Sequence, residues 1–445
     1  MAGEGIERAT GLLTVGINGF GRIGRAVLRI NEQERSFRVA VVNDLDPNVE
    51  NHAYLLKYDS AYGRFGGRVE ASNGDMRMAV NGQSVRFYAV PDISEVPWTE
   101  HGVDVVIDAT GVYQNVLSSQ KLVERGGVKK VIVTHAPKDG VDHTVIFGVN
   151  EQTYEPAAHH VVSTSICDAN ATAPVLRLLD ETYGVEHGYI TTLHPWLSYQ
   201  NLVDGSVHSV ASPGHFWQDF SLGRASSVSL IPKNTTLVEA LRHVLPDVAL
   251  RLDAISFRVP TGIVAASDLT LNLRRRATAA DLNALFRAAA VRDARVIGYE
   301  EDHLVSIDFL GIEQSVFVDG RWTRANGGNG VKLVLWYDNE WGRIAHRQAS
   351  EYGMSRQERA SNSRAADDGV RLHRCEAQQV RPADVCLNRL AAYRRDRPAV
   401  RRRAHRASAR AGDARRSDRG CAGAGLSGDG AAGRAAHRHR RPVLR

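Results

Sequence analysis

The sequence predicts an α/β domain built on a parallel sheet, then an α+β domain with a mostly antiparallel sheet, then a disordered arginine-rich C-terminal tail. Three observations carry this. Short apolar runs alternate with helical patterns over residues 13–166, longer β-rich runs dominate from about Cys167, and composition changes abruptly after Tyr352. Strand–helix alternation is the pattern of parallel strands joined by crossover helices.

Residues 12–17 (LLTVGI) form the first predicted strand, followed by glycines and a helical pattern around residues 25–31. Residues 39–42 (VAVV), 103–108 (VDVVID) and 128–133 (VKKVIV) are further strands, separated by helical stretches. In the second domain, residues 254–259, 263–273, 304–309 and 331–337 read as strands and residues 279–290 as a helix.

The chain has 445 residues, a length that suits two or three domains. Up to Tyr352 there are 33 Lys+Arg against 41 Asp+Glu, and from Gly353 there are 23 against 9, so an acidic body precedes a basic tail. The tail has no Ile, no Lys and one aromatic residue, Tyr393, so it cannot bury enough apolar surface to offset its ordering entropy. Three explanations stand: a solvated appendage, an arm for nucleic acid or an acidic partner, or the product of an unselected reading frame in GC-rich DNA. Clustered arginine attracts phosphate, but the near-absence of aromatics to stack bases makes nucleic acid the least favoured partner.

No run of about 18 apolar residues suggests a membrane span, and the polar, glycine-rich N-terminus lacks the layout of a secretory signal. The body has a single cysteine, Cys167, which fits a reducing compartment. The expected location is the cytoplasm, without membrane contact.

Asn18-Gly19-Phe20-Gly21-Arg22-Ile23-Gly24 contains G-x-G-x-x-G between a predicted strand and a predicted helix. In that context Gly19 allows the tight turn, Gly21 lets backbone approach a pyrophosphate at a helix N-terminus, and Gly24 permits close helix–strand contact. Asp44, at the end of the second strand, is placed to accept hydrogen bonds from ribose hydroxyls, which favours NAD over NADP. The bland alternative is an ordinary strand–helix turn and a surface aspartate.

Cys167 follows a strand at residues 160–165 and precedes a helix at residues 171–183. A helix N-terminus lowers a thiol pKa, although a lone cysteine is more often a small buried hydrophobe. His194 follows a strand at residues 188–192, where a histidine is more often structural than catalytic. Taken together beside a nicotinamide site, the two match an activated thiol and its base.

At this point the chain resembles the glyceraldehyde-3-phosphate dehydrogenase family from about Leu13 to Trp341. The resemblance rests on ordered motifs: TVGINGFGRIGR, VVNDLD, LLKYDSAYGRF, DATGVY, FGVN, CDANATAP, TTLH, SLIP, FRVPT, SDLT and LWYDNEWG. It implies a Rossmann NAD-binding domain at residues 13–166 and a catalytic domain at residues 167–336. Residues 337–352 would pack back on the first domain, residues 353–445 form the tail, and the assembly would be a homotetramer. It further implies Cys167 as nucleophile, His194 as base, and Thr110, Gly111 and Asn339 as cofactor contacts, Asn339 holding the nicotinamide carboxamide. Arg258 would bind the substrate's phosphate, and Thr235 would belong to a second anion pocket. The implied reaction is NAD-dependent oxidation of a phosphorylated aldehyde through a thiohemiacetal and a thioester, with phosphate as acyl acceptor.

The chain departs from the family pattern around the anion sites. Ile166 and Asp168 replace the hydroxyl residues that usually flank the cysteine, Leu197 replaces a threonine, and Thr236 replaces a glycine. The segment before Thr235 is longer than usual, and Arg343 follows WYDNEWG where the family has tyrosine. Two unit charges about 4 Å apart cost roughly 4 kcal/mol at an effective dielectric of 20, so Asp168 either weakens phosphate binding or points away from it. A non-phosphorylating dehydrogenase for another aldehyde and a catalytically silent NAD-binding protein therefore stand as alternatives.

Overall fold

In the computed structural model, residues 12–206 and 219–341 are described. The expected tail at residues 353–445, and most of the stretch expected to return to the first domain, lie outside the described residues.

The first sheet contains β1 (Thr14–Asn18), β2 (Arg38–Asn43), β3 (Val69–Ser72), β4 (Arg77–Val80), β5 (Gln83–Tyr88), β6 (Val105–Asp108), β7 (Lys130–Val133), β8 (His143–Thr144) and β9 (Val161–Ser163). Their spatial order is β8-β9-β7-β6-β1-β2-β5-β4-β3. All pairs are parallel except those joining β3, β4 and β5, an edge meander that the sequence reading did not identify. The central strands are buried on both faces, which is why they read as continuous Val/Ile runs. After β1 the chain passes through α1 (Arg22–Glu34) to β2, and α2 (Val49–Lys57) follows; only later does it enter β6 on the other side of β1. The reversal of strand order between β1 and β6 creates the crevice where open α/β sheets take ligands. From β6 the chain enters α3 (Tyr113–Glu124).

The second half begins with α4 (Cys167–Tyr183), then β10 (Val185–Pro195), β11 (Ile231–Asn234), α5 (Leu237–Arg242), α6 (Pro246–Ala249), β12 (Leu252–Val259), β13 (Ala265–Leu273) and α7 (Ala279–Arg292). It ends with β14 (Ile297–Glu300), β15 (Val316–Asp319), β16 (Arg324–Ala325) and β17 (Gly330–Tyr337). The sheet order is β11-β12-β10-β13-β17-β15-β14, with β16 also paired to β17. Most pairs are antiparallel, as expected, but β10 with β12 and β14 with β15 are parallel. One face of this sheet packs on α4 and the other helices through Ile190, Leu269, Leu333 and Leu335, all fully buried.

The expected strand at residues 304–309 is instead a 3-10 turn over Ser306–Phe309. Val305 and Ile307 are exposed and only Phe309 is buried, so no sheet face is available to them, and the Asp308 carboxylate takes the Val305 N–H into a local turn.

Candidate active site

The G-x-G-x-x-G loop closes over the crevice with three distinct glycine roles. Gly19 has φ +89°, and its N–H donates to the Asn43 carbonyl at 2.7 Å, so the turn is left-handed and favours glycine. A Cβ on Gly24 would lie 2.2 Å from the Gly19 carbonyl oxygen and 3.2 Å from Ile17, so helix and turn touch there. Gly21 has open space where its side chain would be, and as N-cap of α1 it supplies no side-chain bond to the helix start. The first-turn N–H groups of α1 therefore remain available to an anion.

Several residues of that motif act through their backbone. The Phe20 ring is buried against His52 and Phe87, and Ile23 packs on the same core. The Phe20 N–H donates to Asp44 Oδ2 at 2.7 Å, which orients that carboxylate at the end of β2. Asn18 does not present its side chain to the crevice. Its Nδ2 donates to Asp108 Oδ1 at 3.0 Å and its Oδ1 accepts from Asn43 at 2.7 Å, tying β1 to both neighbouring strands. Asp108, pushed up to about 6 by burial, also takes the Thr110 hydroxyl at 2.7 Å. Gly111 follows at φ +68° with nothing near its would-be Cβ, so Thr110 and Gly111 flank open crevice. The Arg22 guanidinium is likewise committed, to Asp59 at 2.8 Å and Glu340 at 2.7 Å.

Cys167 is the first residue of α4, closer to the helix start than the sequence reading placed it. Its Sγ lies 3.5 Å from His194 Nε2, and the two expected partners are therefore brought together. His194 sits within β10 rather than after it; its Nδ1 is 2.8 Å from the Pro195 carbonyl, which places the proton on Nδ1 and leaves the Nε2 lone pair facing the sulfur. Ser165, two residues before the cysteine, has φ +64°, a strained conformation for a non-glycine residue at the entry to α4. Ile166 provides no side-chain cap, so N–H groups at the start of α4 are available beside Sγ.

The expected acidic thiol is corrected by its surroundings. Burial pushes the Cys167 thiol well up, and the Asp168 charge and hydrogen bond push it further; Arg258 and the Asp168 N–H only partly oppose this. The Asp168 carboxylate does not point away. It is buried, its Oδ1 lies 3.5 Å from Sγ, and it accepts the Tyr337 hydroxyl at 2.7 Å. His194 is held down to about 4, by burial first and then by Arg258. At neutral pH the resting pair is therefore a thiol and a neutral imidazole.

Arg258 reaches the site through the parallel pairing of β10 with β12, whose register sets His194 beside Arg258. Its side chain is buried, Nη2 is 3.3 Å from the Tyr199 hydroxyl, and Nε has no partner, so a guanidinium is held ready for an anion. Lys233, which sequence reasoning missed, acts electrostatically on His194, Arg258 and Asp168. A lone lysine in the short run IPKN gave no signal of this. Thr235, two residues on, accepts the Leu237 N–H at 3.2 Å at the start of α5.

The end of β17 and the residues that follow it join the two halves of the site. Tyr337 bonds Asp168 beside the cysteine, and Glu340 bonds Arg22 beside the glycine loop. Asn339 lies between them, buried, with an Oδ1 that has no hydrogen-bond partner. A buried amide oxygen left unpaired is costly unless a ligand satisfies it. Together with the open space at Gly21 and the free helix start, it fits a bound dinucleotide.

The comparisons with known proteins agree with this geometry. Residues 13–116 match the family described as "Glyceraldehyde 3-phosphate dehydrogenase, NAD binding domain", and residues 166–339 match its "C-terminal domain". The chain is 37% identical to a glyceraldehyde-3-phosphate dehydrogenase of Streptomyces coelicolor over 334 residues, 74% of this chain and 95% of that protein. It is 39% identical to one of Debaryomyces hansenii over 331 residues, 74% and 94% respectively. A Bacillus cereus relative, glyceraldehyde-3-phosphate dehydrogenase 1, is 37% identical over 329 residues, again 74% and 94%. With both family domains in order around a Cys–His pair, the chain belongs to the glyceraldehyde-3-phosphate dehydrogenase family and uses NAD.

Proposed function

We propose that the protein oxidises glyceraldehyde 3-phosphate with NAD and passes the acyl group to inorganic phosphate. The observation that carries this is the 3.5 Å approach of Cys167 Sγ to the unprotonated Nε2 of His194, beside a crevice built for a dinucleotide. Sγ attacks the aldehyde carbon while Nε2 takes the thiol proton, giving a thiohemiacetal whose oxygen is met by N–H groups at the start of α4. Bound NAD supplies a hydride acceptor, and loss of hydride leaves a thioester on Cys167. Phosphate then attacks the acyl carbon, the C–S bond breaks, and the acyl phosphate leaves a free thiol that regains its proton. Arg258 anchors the substrate's phosphate, with Lys233 adding positive charge, while Thr235 and Asp168 border the second anion pocket. Asn18–Gly24, Asp44, Thr110, Gly111 and Asn339 form the cofactor crevice, with Asn339 Oδ1 accepting from the carboxamide.

A second reading, transfer of the acyl group to water, is favoured by one observation: Asp168 places a carboxylate oxygen 3.5 Å from the sulfur that bears the acyl group. The protein works as a homotetramer in the cytoplasm, in carbohydrate breakdown. Among the described residues no helix is long and apolar enough to cross a membrane.

The test is NADH formation from glyceraldehyde 3-phosphate across a phosphate series. Wild type should turn over, and Cys167→Ser should lose at least about 10³-fold, as deletion of a nucleophile does. Turnover that rises and saturates with phosphate supports acyl phosphate formation; turnover independent of phosphate selects water. NAD binding without any turnover would identify a silent relative.

A further inference from the structure

The site gathers three atoms of the kind that hold metal ions. Cys167 Sγ, a carboxylate oxygen of Asp168 and a ring nitrogen of His194 all lie within 4.8 Å of one another. Sγ is 3.5 Å from His194 Nε2 and 3.5 Å from Asp168 Oδ1. Zinc bonds of about 2.3 Å to sulfur and 2.0–2.1 Å to nitrogen or oxygen, set at tetrahedral angles, separate neighbouring ligands by about 3.5 Å. Both measured edges thus match two ligands on one ion.

The outer partners of such a site are in place as well. Metal-binding imidazoles and carboxylates depend on hydrogen bonds that fix tautomer and orientation. The Pro195 carbonyl holds the proton on His194 Nδ1, and the Tyr337 hydroxyl holds the Asp168 carboxylate. We propose that Cys167, Asp168 and His194 form a three-ligand site for a borderline-soft divalent cation of the zinc class, with its fourth position open to water. The mixture of sulfur, imidazole and a single carboxylate selects this class over magnesium or calcium. Binding forms the metal–sulfur bond and releases the thiol proton to solvent. Arg258 and Lys233 face the same group and limit affinity through like charge. An occupied site ties up both the sulfur and Nε2, so it is closed to an aldehyde; that consequence rests on the proposed dehydrogenase activity, whereas the binding does not.

The test uses the full chain with Cys375, Cys386 and Cys421 changed to serine, which leaves Cys167 as the only thiol. Titration with Co2+ should give a thiolate-to-cobalt charge-transfer band saturating at one equivalent and displaced by Zn2+. Zn2+ should also slow iodoacetamide labelling of Cys167, with recovery on adding a chelator. Asp168→Asn, checked for retained NAD binding, should weaken Co2+ binding at least about 10-fold, a loss expected of a ligand when outer-shell partners alone are worth 10–100-fold. Should that variant lose NAD binding, His194→Ala is read by the same criterion. A missing band in the parent protein, or unchanged Co2+ affinity in the folded variant, overturns the site.

Discussion

At the scale of single residues, the Cys167–His194 pair rests in its uncharged form. Burial holds the imidazole down to about 4 and pushes the thiol up, so in the proposed reaction the proton crosses to Nε2 as the carbon–sulfur bond forms, not beforehand. This sets a pH dependence. His194 cannot accept a proton once protonated, and that happens near 4, so the acid loss of kcat/KM belonging to this group should fall near pH 4 instead of near 6.5. A profile of kcat/KM against pH checks it, and an inflection near 6.5 would refute it. His194→Asn should lower kcat by about 10²–10⁴-fold, the usual worth of a positioned base. The stability sign follows from the same shift. The unfolded chain takes up the proton near 6.5 and the folded chain only near 4, so this histidine's contribution is complete above 6.5 and is lost as pH falls toward 4.

At the scale of elements, the turn between β1 and α1 separates two uses of glycine that one motif conceals. Gly24→Ala forces a methyl group to 2.2 Å from the Gly19 carbonyl, an overpacking that should cost about 1–3 kcal/mol of stability. Gly21→Ala meets no protein atom. It should leave the melting temperature unchanged or slightly raised while weakening NAD binding at least about 10-fold, equivalent to 1.4 kcal/mol. Thermal melts with and without NAD distinguish the two, and equal loss of stability in both variants would contradict the assignment. This turn was legible in the sequence because its constraints are local: a strand, three spaced glycines and a helix within a few residues. The contact of His194 with Arg258 was not legible. It depends on β10 and β12 pairing in parallel, a choice of partner that alternation of apolar residues does not encode. The Tyr337–Asp168 bond joins residues 169 apart in sequence and was hidden for the same reason. The aspartate itself was visible, but its direction was not.

At the scale of the molecule, one face of the second sheet carries exposed apolar side chains among the described residues. Tyr189 is 66% exposed and Ile255 is 49% exposed, and with Leu193 they form an apolar surface on β10 and β12. The register places Tyr189 beside the exposed Asp253, Thr191 beside Ile255 and Leu193 beside Phe257, so this face mixes apolar side chains with polar ones. In the homotetramer proposed above, this face is a candidate for the surface that joins copies. Ile255→Lys should lower the solution mass measured by sedimentation without disturbing the monomer's NAD binding; an unchanged mass would show that this face is not what joins the copies.

The bond between Tyr337 and Asp168 also bears on how the departure at position 168 could be undone. Tyr337 is fully enclosed, and apart from Asp168 its hydroxyl meets Ser267 at 3.2 Å. Replacing Asp168 with a small hydroxyl residue withdraws a strong acceptor from this buried donor and leaves the Tyr337 hydroxyl with Ser267, which is itself the donor in that contact. A single change at 168 therefore carries a cost in stability at the end of β17, separate from any gain in anion binding.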